Sequence, residues 1–143
     1  MAVLKPLYTK FYAEAEAFNR ALGFAYDALI HAGIEFNPNE TWASLVTRVS
    51  QGIYMGDGLL LPHTRIAGLS EPLMAFAVCP KGFTGVKTNK NELAQFLCVL
   101  LTPKESATVH TQTIAGMAKL LLDAEWKSRA LQVACDADVK ALF

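Results

Sequence analysis

The chain has 143 residues, a size typical of one domain, and 52% of them are hydrophobic while only 18% are charged. This composition supports a sizeable buried core and excludes a disordered chain. Thirteen basic residues balance thirteen acidic ones, so charge indicates neither a nucleic acid nor an anionic membrane surface as a partner. We therefore expect a single domain over residues 1–143.

Neither the apolar runs nor the cysteines indicate a membrane or a secreted protein. The longest nearly apolar run, Leu93 to Leu101, is far shorter than the roughly 20 residues that a bilayer helix needs. No apolar stretch with a small-residue cleavage site follows the first residues. Cys79, Cys98 and Cys135 are odd in number and stand in apolar or alanine-rich segments, so we interpret them as reduced core residues. The sequence predicts a cytoplasmic protein without membrane insertion.

Helical periodicity dominates the first fifty residues. Apolar residues recur at intervals of three and four between Glu14 and Ala32, which predicts a helix that Gly33 ends. The segment Asn37-Pro38-Asn39-Glu40 combines an Asn cap with Pro at the first helical position and predicts the start of a second helix. Gly52, Gly56 and Gly58 then interrupt the helical pattern, so the chain must turn there.

Short apolar runs after the glycines predict buried strands. Proline, which cannot donate to a sheet ladder, follows each of them. The predicted strands are Leu59 to Leu61, Leu73 to Val78, and Leu93 to Leu101. Phe83 to Val86 is expected as an edge strand or half of a hairpin.

Helical patterns return in the last forty residues. A third helix is predicted to start at the capping box Thr102-Pro103-Lys104-Glu105, or later at Ser106 or Thr108. A last helical stretch begins near Asp123 and restarts near Asp136. Helices at both ends of a group of strands predict an α/β fold, a three-layer sandwich with a mixed central sheet flanked by helices.

The most informative segment is Gly56-Asp57-Gly58-Leu59-Leu60-Leu61-Pro62-His63. A glycine turn leads into a short buried strand that ends in Pro-His, which fixes a histidine at the edge of the sheet, where ligand sites of open α/β sheets lie. Proline restricts both its own φ and the residue before it, so the backbone that orients His63 is stiff. The Gly-x-Gly precedes a strand rather than a helix, so it is not a dinucleotide-binding motif.

This segment resembles the hallmark of one protein family, the enzyme IIA domain of the mannitol, fructose and nitrogen-regulatory type in the phosphoenolpyruvate-dependent phosphotransferase system. The family has a Gly-x-Gly, a short apolar strand and then Pro-His, as this chain has from Gly56 to His63. A second histidine, His110, also occurs in the helix after the last strand, as in the family. The resemblance covers about residues 42 to 135.

The resemblance implies a phosphotransferase that carries a phosphoryl group on His63. The donor would be the phosphocarrier protein HPr, and the acceptor an enzyme IIB domain or permease, or else a regulatory target would detect the phosphorylated state. His110 and the loop N–H groups, with Gly58, would hold the phosphoryl oxygens. The resemblance implies no metal and no other cofactor.

The sequence departs from the family around the expected phosphate loop. The family has Arg-Glu a few residues before a Ser-Thr-Gly stretch, whereas here Arg48 matches the arginine only with a one-residue deletion, and Gly52-Ile53-Tyr54 replaces the hydroxyl pair. Arg65, two residues after His63, is a second candidate for the positive charge that stabilises the phosphoryl group, because a guanidinium can form bidentate hydrogen bonds to phosphoryl oxygens.

Two alternative functions stay open at this point. The altered loop is consistent with a regulatory interaction domain on the same scaffold that cannot be phosphorylated. A small metal-dependent hydrolase would need a site from His63, His110 and a cysteine, which lack close spacing. His31, at a predicted helix end, is interpreted as a favourable charge at the helix C-terminus.

Overall fold

A mixed sheet forms the middle layer of the structure, a computed structural model that describes residues 4–32 and 36–143. The strands are β1 (Tyr8–Phe11), β2 (Glu16–Ala17), β3 (Leu59–Leu60), β4 (His63–Ile66), β5 (Leu73–Val78), β6 (Phe83–Thr84) and β7 (Phe96–Pro103). Their order in the sheet is β1-β5-β7-β3, and β4 also pairs with β7. β5 and β7 are antiparallel, whereas the other pairs of this sheet are parallel. β2 and β6 form a small separate parallel pair.

Helices cover both faces of the sheet. They are α1 (Phe18–Ile30), α2 (Pro38–Gln51), α3 (Ala107–Leu122), α4 (Ala124–Ala130) and α5 (Asp136–Lys140). Buried residues of α1 and α2 belong to one apolar core, and those of α3, α4 and α5 belong to another. The predicted fold class, a mixed sheet flanked by helices, is confirmed.

The central strand β7 separates the two cores. Its side chains alternate, so that Leu97, Val99 and Leu101 belong to the core under α1 and α2. Phe96, Cys98 and Leu100 belong to the core under α3. Because both faces are covered, all eight residues of the strand are buried, which explains its nearly continuous apolar sequence.

The sheet edge that carries Pro62 differs from the prediction. We expected the strand to end at Pro62, but His63 opens a second strand, β4, and both β3 and β4 pair with β7. Pro62 lacks an N–H yet its carbonyl accepts from the Leu100 N–H at 3.0 Å, so the proline interrupts the ladder without turning the chain away. His63 therefore lies partway along this edge, opposite Leu100.

The N-terminal region holds strands that its sequence pattern does not indicate. β1 and β2 precede α1, which starts at Phe18 rather than near Glu14. The predicted helix stop, Gly33, lies outside the described residues. The start of α2 is confirmed, since the Asn37 side chain accepts from the N–H groups of Asn39 and Glu40, each at 3.1 Å.

The C-terminal elements refine two predictions. β7 runs through Pro103, so Thr102 is a strand residue and Ser106 caps α3 instead. Asp123 caps α4, and α5 begins at Asp136, as predicted. Cys79 and Cys98 are buried, but Cys135 is exposed before the short α5, so its assignment to the core was wrong.

Candidate functional site

His63 is held by the backbone on its own N-terminal side. Its Nδ1 lies 2.7 Å from the carbonyl oxygen of Leu61. A carbonyl only accepts hydrogen bonds, so Nδ1 carries a hydrogen and the lone pair of the neutral ring is on Nε2. The ring is half-buried. The turn around Pro62 thus sets both the orientation and the tautomer of the imidazole.

His110 faces His63 from the first turn of α3. The two ring centroids are 5.5 Å apart and the ring planes are inclined by 44°. The Ser106 side chain accepts from the Val109 N–H at 3.2 Å, and the Ser106 carbonyl accepts from the His110 N–H at 3.2 Å. This cap fixes the start of the helix and thereby the position of His110. The structure thus brings together the two histidines that the sequence singled out.

Thr102 is a site residue that the sequence reasoning missed. Its Oγ1 lies 2.5 Å from His110 Nδ1, and the residue is completely buried. The alternation along β7 places Thr102 on the same face as Cys98 and Leu100, which is the face that α3 covers. The sequence pattern predicts Thr102 as a helix cap, and its contact with His110 arises because β7 continues through Pro103 before α3 begins.

The surroundings of His110 disfavour its charged form. Burial lowers the pKa of His110 below the ordinary value of 6.5, and the nearby His63, Arg65 and Arg48 lower it further. A ring with a lowered pKa is neutral at neutral pH. His110 therefore presents one N–H donor rather than a full positive charge.

Two arginines lie within electrostatic range of the histidine pair. Arg65 is in β4, two residues after His63, and its Nη2 donates to the Lys104 carbonyl at 2.6 Å. Arg48 is exposed in the last turn of α2. Both contribute positive charge at His110. Their charges thus act on the pKa of His110, and within the part of the chain that the structure describes, the one hydrogen bond found for the Arg65 guanidinium is to Lys104.

Gly58 lies at the opposite end of the same edge. Its N–H donates to the Tyr54 hydroxyl at 3.1 Å, and its carbonyl accepts from the N–H groups of Gln95 and Phe96 at 2.9 Å each. Gly58 is therefore beside the start of β7, whereas His63 pairs with Leu100, about 13 Å further along the strand. The structure does not bring Gly58 to the histidine pair, and it gives the glycine a role in the turn.

Two further observations concern a metal site and a membrane-spanning helix. Within residues 4–32 and 36–143, no three side chains of His, Cys, Asp or Glu are grouped closely enough to hold a metal ion. Over the same residues, no helix has the length and apolar character needed to cross a bilayer.

The family model described as "Phosphoenolpyruvate-dependent sugar phosphotransferase system, EIIA 2" matches residues 2–143. The chain belongs to this EIIA type 2 family. The resemblance stated from the Gly56–His63 segment is thus confirmed over nearly the whole sequence. Among curated proteins, none matches this sequence.

Solved EIIA structures share the fold. The nitrogen regulatory protein IIA-Ntr from Neisseria meningitidis superposes with a TM-score of 0.77 at 18% identity, over 94% of this chain and 91% of that one. IIA mannitol from Escherichia coli gives a TM-score of 0.68 at 19% identity, over 92% of this chain and 93% of that one. The complex of Escherichia coli enzyme IIAMTL with phosphorylated enzyme IIBMTL gives a TM-score of 0.70 at 18% identity, over 92% of this chain and 91% of the matched chain. At these identities the likeness establishes the fold.

Proposed function

We propose that this EIIA-family chain is a phosphohistidine carrier, and that Nε2 of His63 accepts the phosphoryl group from an HPr-like donor. The observation that carries the proposal is the bond from His63 Nδ1 to the Leu61 carbonyl, which leaves the Nε2 lone pair free beside His110. A neutral imidazole is a nucleophile at physiological pH, so the ring needs no separate base.

The transfer step is a simple exchange of one N–P bond for another. The Nε2 lone pair attacks the phosphorus of the donor's phosphohistidine, and the donor's N–P bond breaks with its electron pair on the leaving ring nitrogen. Throughout the transfer His63 keeps its Nδ1 hydrogen, which it donates to the Leu61 carbonyl. In the next transfer the ring can therefore leave as neutral imidazole.

Stabilisation of the phosphoryl oxygens falls to His110 and the two arginines. His110 lies close enough to donate one N–H to an oxygen of a group on His63. Arg65 and Arg48 supply positive charge near the same point. The Arg65 guanidinium donates to the Lys104 carbonyl through Nη2, so a phosphoryl oxygen would be bound by its other N–H groups.

The partners follow from the family and from one related complex. In the Escherichia coli complex, enzyme IIAMTL is bound to phosphorylated enzyme IIBMTL. By analogy, the acceptor for this chain is an enzyme IIB domain or permease, or a regulatory protein that detects the phosphorylated state.

Intact-mass measurement tests the proposal. The chain is incubated with phosphoenolpyruvate, enzyme I and HPr, and its mass is recorded at mildly alkaline pH, where phosphohistidine persists. We expect a gain of one phosphate, carried on Nε2 as identified by ³¹P and ¹⁵N NMR. His63→Gln removes the acceptor and should abolish the gain.

His31→Gln is the matched control for that substitution. His31 is exposed at the end of α1, and its Nδ1 lies 2.7 Å from the carbonyl oxygen of Asp27 in the same helix. This variant should be phosphorylated like the parent chain. No mass gain in the parent chain with active enzyme I and HPr would contradict the carrier and favour the interaction domain.

A further inference from the structure

We infer that Thr102 is a positioning residue: its hydroxyl donates to Nδ1 of His110 and thereby directs the His110 Nε2–H toward the phosphoryl group on His63. The inference rests on the proposed function for its catalytic consequence, but the hydrogen bond itself is a property of the unphosphorylated chain. The starting observation is the 2.5 Å separation of Thr102 Oγ1 and His110 Nδ1.

The direction of this hydrogen bond follows from burial. Thr102 is 0% exposed, so no bulk water reaches its hydroxyl. Among the described residues, His110 Nδ1 is the partner found for Oγ1, and no buried side-chain oxygen or nitrogen lacks a partner. If Nδ1–H were the donor, the threonine hydroxyl hydrogen would have no acceptor in an apolar setting, which is unfavourable. The hydroxyl therefore donates.

The tautomer of His110 follows from that direction. A neutral imidazole carries its hydrogen on one nitrogen, so an accepting Nδ1 leaves the hydrogen on Nε2. The lowered pKa of His110 favours this neutral ring over the doubly protonated one. His63 has the opposite tautomer, with its hydrogen on Nδ1 and its lone pair on Nε2. One ring is thus set to attack and the other to donate.

Thr102 is well placed to hold this geometry. It is β-branched, so its side-chain torsion is restricted, and it precedes Pro103, which keeps the backbone extended. It also pairs with Arg65 in the β4–β7 register, two residues from the position opposite His63. The residue that directs His110 is therefore fixed to the same strand pair that carries His63.

The first experiment measures the tautomer directly. Long-range ¹H–¹⁵N correlation spectra of the parent chain at neutral pH should show His110 hydrogenated at Nε2 and His63 at Nδ1. A His110 ring that is hydrogenated at Nδ1 would overturn the inference. This readout needs neither phosphorylation nor a substitution.

The second experiment measures phosphoryl transfer from phosphorylated HPr. Thr102→Val keeps the shape but removes the hydroxyl, so we expect transfer to slow by about tenfold, the order of one hydrogen bond. Thr102→Ser should recover most of the rate, since it keeps the hydroxyl and loses only the restriction on the side-chain torsion. Thr113→Val is the matched control, because the Thr113 hydroxyl bonds the Val109 carbonyl within α3 at 2.7 Å. It should transfer like the parent.

A double-mutant cycle separates positioning from mere structural support. If Thr102 acts through His110, Thr102→Val should change transfer by less than about twofold in a His110→Ala background. Additive effects, or an unchanged rate in Thr102→Val alone, would contradict the inference. If the parent chain takes up no phosphoryl group at all, the proposed function fails, while the NMR measurement still decides the direction of the Thr102 bond.

Discussion

The two ends of the β3–β4 edge differ in what their backbone groups bind. We define the turn end as Gly56 to Gly58 and the histidine end as Pro62 to Arg65. At the turn end the backbone groups of Gly58 are hydrogen-bonded within the protein. Its N–H donates to the Tyr54 hydroxyl, and its carbonyl accepts from the N–H groups of Gln95 and Phe96. At the histidine end, the carbonyl of Leu61 orients the half-buried ring of His63 and leaves the lone pair of the neutral ring on Nε2.

The difference shows that the glycines and the histidine of the motif serve separate purposes. Gly56, Asp57 and Gly58 all have positive φ angles, of 87°, 53° and 81°. Such a turn aligns β3 with the start of β7, and the strand pair then carries His63 toward α3. In the proposed transfer the turn end would therefore act only through the fold, whereas the histidine end carries the proposed acceptor.

The largest expected contrast comes from His63→Asn. The Asn amide nitrogen can take the place of Nδ1 and donate to the Leu61 carbonyl, but no atom replaces Nε2. We expect phosphoryl uptake to be lost completely, while the free energy of unfolding changes by about 0.5 kcal/mol or less, as for a substitution that creates neither a cavity nor a buried unpaired group. Intact mass and urea denaturation give the two readouts. A large loss of stability would show that the histidine end also supports the fold.

Gly58→Ala should give the reverse pattern. Its φ of 81° disfavours any side chain, and a Cβ there would lie 3.4 Å from the Leu93 carbonyl oxygen. We expect the free energy of unfolding to fall by about 1–2 kcal/mol, with transfer per folded molecule unchanged. Gly23→Ala is the matched control, because Gly23 lies in α1 with no atom within 4 Å of its added Cβ. It should raise stability by about 0.5–1 kcal/mol.

Tyr54→Phe is a milder change at the turn end. The Tyr54 hydroxyl accepts from the Gly58 N–H and donates to Glu92 Oε1 at 2.7 Å. Its removal should lower the free energy of unfolding by about 1 kcal/mol, again without slowing transfer. Glu92→Gln keeps an acceptor for Tyr54 and should cost less. If Tyr54→Phe slowed transfer at unchanged stability, the turn end would have a direct part in the chemistry.

The sequence was sufficient to predict the features that depend on local chemistry. The Asn37 cap, the Asp123 cap and the buried strands needed no long-range information, because each is encoded by neighbouring residues. The pairing of His63 with His110 came from the motif and the resemblance, and the 5.5 Å separation of the rings agrees with it.

Features that depend on distant partners were not predictable in this way. The residues of β1 are all half-buried and show no alternation, so that strand is defined by its pairing with β5 rather than by its own pattern. The turn role of Gly58 depends on Tyr54 and the start of β7. Thr102 matches a helix-capping pattern in sequence, and only the path of β7 through Pro103 makes it a strand residue.

The smallest expected effect concerns the charges around His110. Arg65 and Arg48 both lower its pKa, with Arg65 ahead of Arg48. Removing a positive charge relieves repulsion of the imidazolium, so Arg65→Gln and Arg48→Gln should each raise the pKa of His110, the first by more. NMR titration of the ring measures both shifts. Arg129→Gln, in α4, is the control and should leave the His110 pKa unchanged.

The same lowered pKa predicts how stability depends on pH. The unfolded chain binds a proton to His110 near the ordinary value of 6.5, whereas the folded chain binds it only at lower pH. The contribution of the neutral ring is therefore complete above pH 6.5 and is lost as pH falls from there through the folded pKa. Urea denaturation should show this loss in the parent chain and a smaller one in Arg65→Gln, where the folded pKa is closer to 6.5. An equal loss in both would show that the Arg65 charge does not act on the His110 ring, and that burial, His63 and Arg48 account for its lowered pKa.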